Sequence, residues 1–247
     1  MEGHRIAGIP AANFSLRLSS LDREEPAMKC LAFAIALSVL AATPSFAALK
    51  VGDTAPDFTA TASLGGKEFR FHLYDALKKG PVVVYFYPSA YTQGCDLEAH
   101  TFADNRDRFT AAGAGIIGVS GDNLERLNRF ASDPNFCAGK FPIAADETLG
   151  IAKSYHLVTL APLKGIKDVN GADVSHGLIE RVTFVVDKDH KIVAVLSSRA
   201  DVSQKINQMI AKSGKAPREE DALQALTPDQ HVLKSLEIVS RMRGKTG

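Results

Sequence analysis

The sequence predicts an α/β protein: a central sheet of mixed strand direction flanked by helices. Three stretches predict it. "PVVVYFY" (81–87) and "AGIIGVS" (114–120) are continuous apolar runs of the kind that fill strands buried on both faces, and each leads into a polar, helix-prone segment. "RVTFVVD" and "KIVAVLS", joined by a tight Asp-Lys-Asp-His turn, instead read as an antiparallel hairpin.

The remaining elements follow in chain order. "VGDTAPDF" with Pro56 is an extended entry, and "TATASLGGKEFRFHL" holds two short runs around Gly65-Gly66, a hairpin signal. A helix is expected over about 96–112, with Leu97, Phe102 and Phe109 on its apolar face. Asn123 caps a helix to about Ser132, where Leu124, Leu127 and Phe130 share one side. "FPIAAD" is a short strand whose Asp146 caps "ETLGIAKSY". A looser region with Pro162, Gly165, Asn170 and Gly171 spans 157–177. Asp201 opens a helix over "VSQKINQMIAK". Beyond Gly214, Thr227 and Gln230 have capping-box spacing ahead of "VLKSLEIVSRM". Val232, Leu236 and Val239 there form a stripe expected to pack on the domain body or on a second subunit.

The 247 residues carry a formal net charge of +1, so nothing in the charge balance points to nucleic acid or a strongly anionic partner. From Met28, "MKCLAFAIALSVLAATPSFAALK" has one Lys, an apolar run too short to span a bilayer, and a small-x-small site at Ser45–Ala47. This predicts a secretory signal peptide over 28–47, cleaved near Ala47, and a periplasmic or secreted mature chain with no membrane segment. Met28 reads as the natural start, with 1–27 an artefactual leader or else a long n-region. One domain is expected over 48–213, with a helical extension over 214–247. Cleavage removes Cys30, whose surroundings form no lipoprotein box. Cys95 and Cys137 remain, as a structural bridge or a redox pair.

Cys95 falls where a buried strand gives way, through a loop, to a helix. A helix N-terminus favours an anion, so a thiol placed there ionises more readily. Asp96 opposes this. No second cysteine stands three residues away, which weakens a dithiol oxidoreductase reading. The loop instead has Pro88, Thr92 and Cys95, a Pro-x-x-x-Thr-x-x-Cys spacing.

Together with "VGDTAPDF", "VVVYFYPSAYTQGCDLEAHTF", "GIIGVSGDN", "FPIAAD" and "RVTFVVDKDHKIV", in that order, this spacing resembles the peroxiredoxins. The likeness is closest to the branch named after bacterioferritin comigratory protein, and it covers about 49–212. It implies a thioredoxin-like fold and a thiol-dependent peroxidase acting on hydrogen peroxide and small alkyl hydroperoxides. Cys95 matches the peroxidatic cysteine that becomes a sulfenic acid. Thr92 matches the residue that hydrogen-bonds peroxide and sulfur, Pro88 the shield over the thiolate, and Arg181 the guanidinium beside it. Glu98 matches the acid that orients that arginine.

Two positions depart from the pattern. Gln93 stands where the family usually has Pro, and His100 where many relatives carry a resolving cysteine. Cys137 is left either to resolve the sulfenic acid or to lie inert, in which case an external thiol, such as a thioredoxin-like protein, is needed. No cofactor or metal is implied, and the mature chain is expected as a monomer or homodimer. The alternatives are a periplasmic thiol–disulfide exchange protein, or a copper-binding protein using Cys95, His100 and Cys137. His100, His156 and His176 otherwise read as surface or core polar residues.

Overall fold

The computed structural model describes residues 49–197 and 226–244. The expected signal peptide, the leader before it and the helix over 202–212 lie outside the described residues.

Seven strands form one sheet in the order β2-β1-β5-β4-β3-β8-β9. They are β1 (Thr59–Leu64), β2 (Lys67–His72), β3 (Val82–Phe86), β4 (Gly115–Ser120), β5 (Ile143–Ala145), β8 (Val182–Val186) and β9 (Ile192–Ser197). β3, β4 and β5 run parallel, while the β1–β2 and β8–β9 hairpins add antiparallel partners on either side. This is the mixed α/β sheet that the sequence predicts. A two-stranded piece, β6 (Thr159–Leu160) with β7 (Leu178–Ile179), closes the looser 157–177 segment. The helices are α1 (Leu73–Leu77), α2 (Gln93–Asp104), α3 (Arg106–Ala111), α4 (Leu124–Ser132), α5 (Gly150–Ser154) and α6 (Pro228–Gly244).

The first hairpin turns where expected, because Gly65 and Gly66 both hold positive φ (57° and 81°), the conformation a two-residue loop demands. β3 is buried on both faces, and its alternation divides the core. Val83 and Tyr85 join Phe102, Phe109, Leu127 and Phe130 on one side; Val82, Val84 and Phe86 join Phe71, Leu77 and Tyr155 on the other. The Tyr85 ring stacks on Phe102 at 4.5 Å and so ties α2 to the sheet. It also fills the space beside Gly118 on β4, where an added Cβ would come within 2.6 Å of it.

Four local expectations need correction. The helix over 96–112 begins earlier, at Gln93, and breaks in two at Asn105, whose side-chain amide bonds the Thr101 carbonyl and ends α2. Leu97 is exposed: Cys95, Ala99 and Phe102, four and three residues apart, set the buried stripe and turn Leu97 outward. Asp146 does cap, through Oδ1 to the Ile151 amide and Oδ2 to that of Ala152, but the helix starts only at Gly150. A left-handed Leu149 (φ 58°) takes up the intervening turn.

Other signals stand as written. Asn123 Oδ1 accepts from the Arg126 amide, and Gln230 Oε1 accepts from that of Thr227. Val232, Leu236 and Val239 are buried against this chain's own body, where α6 packs on α2, α3, β8 and β9.

Candidate active site

The site lies at the C-terminal end of β3, where ligands gather in α/β sheets. The chain leaves β3 through a loop over 87–92 and enters α2, placing Cys95 third in a 12-residue helix. Cys95 is 2 % exposed, on the stripe that packs α2 to the sheet. Arg181, just ahead of β8, donates from Nη2 to Cys95 Sγ at 3.1 Å. Its Nη1 bonds Glu98 Oε2, one turn further along α2 and wholly buried. One guanidinium thus serves two acceptors from a single helix. Pro88 and Arg181 line the same cavity, and Thr92 is the N-cap position of α2. All five expected site residues therefore gather at one place.

Burial pushes the Cys95 thiol up from its ordinary value, against the pull of Arg181, the Thr92 hydroxyl and a hydrogen bond to the Ser89 backbone. The expectation of a readily ionised thiol at a helix start is thus reversed, because loss of water outweighs the nearby donors. Burial likewise raises Glu98, to about 7, with Arg181 opposing. Burial works against the Arg181 charge too, but Glu98 and Cys95 more than offset it and raise its pKa. Glu98 and a Cys95 thiolate compete for one cation.

Asp96 bonds the Tyr91 backbone, in the neighbourhood of Asp168, Arg126 and Asp133, with its pKa raised to about 6 by burial. Glu98 is a carboxylate that works against the thiolate.

Thr92 Oγ1 donates to the Ser89 carbonyl at 2.8 Å. That proton lies on the carbonyl and reaches Cys95 Sγ only when the hydroxyl turns, while its lone pairs are free for an incoming O–H. Beside Pro88 and Arg181 opens an apolar cavity of about 360 Å³, also lined by Val158, Leu160, Leu178 and Ile179.

Cys137 follows α4, wholly buried, and like Cys95 it is a free thiol. Burial, with Asp133 and Asp96 adding to it, pushes this thiol well up. His100 is half exposed and ion-pairs with Asp104 at 3.3 Å. Among the described residues no group of three His, Cys, Asp or Glu is arranged to hold a metal, so Cys95, His100 and Cys137 do not form the copper site weighed above.

Sequence reasoning missed two contributors. The first is α6. An added Cβ on Gly94 would meet Arg181 Nη2 at 3.3 Å and Pro228 Cγ at 3.4 Å, so the start of α6 stands against the first turn of α2. His231 is wholly buried behind Arg181, its Nδ1 3.1 Å from Thr183 Oγ1, and burial, helped by Arg181 and Lys234, lowers its pKa to about 3. The second is a buried polar cluster around Asp122, which bonds Ser89 and Ala90 of the 87–92 loop. Asp122 ends "GVSGD" at the C-terminal edge of a buried strand, which is the signal that could have marked it.

Comparison with known proteins agrees with this geometry. The AhpC/TSA family model matches residues 51–195. The chain is 30% identical over 165 residues to a chloroplastic peroxiredoxin Q of Sedum lineare, covering 67% of this chain and 78% of that one. It is 31% identical over 144 residues to peroxiredoxin Bcp of Escherichia coli, covering 58% and 83%. The crystal structure of peroxidoxin BcpB from Mycobacterium tuberculosis superposes with a TM-score of 0.57 at 26% identity, covering 78% of this chain and 98% of that one.

A thioredoxin-like sheet presenting a buried cysteine to an arginine at a helix start defines a thiol-dependent peroxidase. This chain belongs to the AhpC/TSA family, among the peroxiredoxins.

Proposed function

We propose that Cys95 is the peroxidatic residue and that the mature chain works outside the cytoplasm, in the periplasm or as a secreted protein. The reaction begins when Cys95, as thiolate, attacks one peroxide oxygen. An S–O bond forms and the O–O bond breaks. The departing oxygen leaves as water or an alcohol once protonated, and the sulfur, oxidised by two electrons, becomes a sulfenic acid. Arg181 stabilises the thiolate and the charge developing on the peroxide, Thr92 accepts the peroxide O–H, and Pro88 limits access of water. Glu98 fixes the guanidinium. The observation that carries this reading is the 3.1 Å contact of Arg181 Nη2 with Cys95 Sγ, with Glu98 holding the other arm.

The substrates are hydrogen peroxide and small alkyl hydroperoxides, and the apolar cavity beside Pro88 supports the alkyl arm. Cys137 is buried like Cys95, but where Cys95 has Arg181 it has only the opposing charges of Asp133 and Asp96, so it is not poised to attack a sulfenic acid and an external thiol completes the cycle. The signal-peptide pattern read over 28–47 supports the location.

Peroxide consumption driven by dithiothreitol tests this. Wild type should turn over hydrogen peroxide and ethyl hydroperoxide while Cys95→Ser does neither. Turnover that survives the Cys95→Ser change would sink the assignment.

A further inference from the structure

The 157–177 segment and the peroxidatic loop are joined by a buried charge cluster. Asp122, wholly buried, accepts from the Ser89 hydroxyl at 3.0 Å, the Ala90 amide at 2.8 Å and the Ser120 hydroxyl at 2.8 Å. Arg126 ion-pairs with Asp122 at 2.9 Å and with Asp168 at 2.8 Å, and donates to the Ala90 carbonyl at 2.8 Å. The Val169 amide donates to the Tyr91 carbonyl at 2.9 Å, with Tyr91 held at φ 57° beneath the Arg126 guanidinium. Positive φ in a tyrosine is strained and persists only where its surroundings impose it.

His176 closes the cluster. Its Nδ1 stands 2.8 Å from the Gly177 carbonyl, which can only accept, so Nδ1 carries a proton. Its Nε2 stands 2.8 Å from Asp122 Oδ1 and 3.0 Å from the Ser89 hydroxyl. An unprotonated Nε2 would set a lone pair against a carboxylate; a protonated one satisfies both neighbours. The ring is therefore an imidazolium, and His176 and Arg126 balance Asp122 and Asp168. Arg129, Lys153, Glu147 and Asp173 line the solvent side of the adjoining cleft.

We propose that His176 is a positioning residue for Cys95, acting as a charged strut through Asp122 onto Ser89. The path is short. Ser89 is the residue whose backbone favours the Cys95 thiolate and whose carbonyl holds the Thr92 hydroxyl. Losing the strut frees Ser89 and lets its backbone donor drift from the sulfur, so Cys95 ionises less readily. The pKa of His176 is raised, since its bonds and attraction to Asp122 outweigh burial and the charge of Arg126, so the strut persists above the ordinary histidine range and fails at higher pH.

The proposal rests on the peroxidatic reading of Cys95, and the test separates the two. Iodoacetamide alkylation of Cys95 is followed against pH, beside the hydrogen peroxide rate, in wild type, His176→Gln and His176→Leu. Gln keeps a donor toward Asp122 without the charge; Leu keeps neither. At pH 7 alkylation and peroxide rates should both fall about tenfold or more in the Leu variant, and less in Gln, as when a hydrogen bond to a charged group is lost. The ionisation of Cys95 should move upward in the same order. A melting point lowered with the ionisation of Cys95 unmoved would reduce His176 to a structural residue and overturn the proposal. Nitrogen NMR of wild type tests it even if both variants misfold, since a neutral His176 ring at pH 7 overturns it. If wild type alkylates as expected but ignores peroxide, the peroxidase reading fails and the strut stands.

Discussion

Replacing Arg181 with Met tests the electrostatics of the site most sharply. At 3.1 Å and an effective dielectric of ~20, the gross attraction between guanidinium and thiolate is about 5 kcal/mol. The same guanidinium is shared with Glu98 and is itself desolvated, so the net benefit to the thiolate falls to about 2–3 kcal/mol, the range of a hydrogen bond to a charged group. With about 1.4 kcal/mol per factor of ten, Cys95 alkylation by a neutral haloacetamide at pH 7 should slow about 30- to 150-fold. Stability should respond with a pH signature. Glu98 loses its cation, but its carboxyl already titrates at about 7 and can take up a proton instead of remaining a bare buried charge. The variant should therefore be little destabilised at pH 5 and clearly so at pH 8. An alkylation rate within twofold of wild type at pH 7 would refute this reasoning.

Three further outcomes follow from the same contacts. Glu98 is an acid whose folded pKa, about 7, lies above the unfolded value of 4.5, so its contribution to stability is fully present below the unfolded value and is lost as pH rises toward 7. Urea unfolding of Glu98→Gln against wild type should show that slope vanish, and Cys95 alkylation at pH 8 should speed up because the opposing charge has gone. Leu236→Ala should cost about 2–5 kcal/mol in urea unfolding, as a buried leucine on α6 facing the main core. Gly118→Ala, pressed into the Tyr85 ring, should cost about 1–3 kcal/mol, read as a lowered thermal midpoint.

Much of the scaffold is written locally. The apolar run at 82–86, Gly65-Gly66, the Asn123 cap and the Thr227–Gln230 pairing each carry their own geometry, and each appears where its pattern points. The candidate site was legible as a motif because Pro88, Thr92 and Cys95 share one loop. Only the family likeness joined Arg181 to them, 86 residues away.

What stayed hidden depends on tertiary pairing. The break at Asn105 carries no proline or glycine, and the exposure of Leu97 follows from which stripe of α2 meets the sheet. His176 reads as an ordinary polar residue until the fold brings Asp122 from 54 positions earlier against it, at 2.8 Å. The pattern of α6 showed a buried stripe, but not that its first residues would stand beside Gly94 and Arg181.

The most direct measurement is intact mass spectrometry of the mature chain after one equivalent of hydrogen peroxide without reductant, with a sulfenic-acid trap, on wild type and Cys137→Ser. The account predicts one oxygen at Cys95 in both, trapped as sulfenic acid, with Cys137 still reduced. A Cys95–Cys137 disulfide in wild type would keep the peroxidase and replace the external thiol with an internal one. Cys95 left reduced while the peroxide persists would contradict the account at its centre.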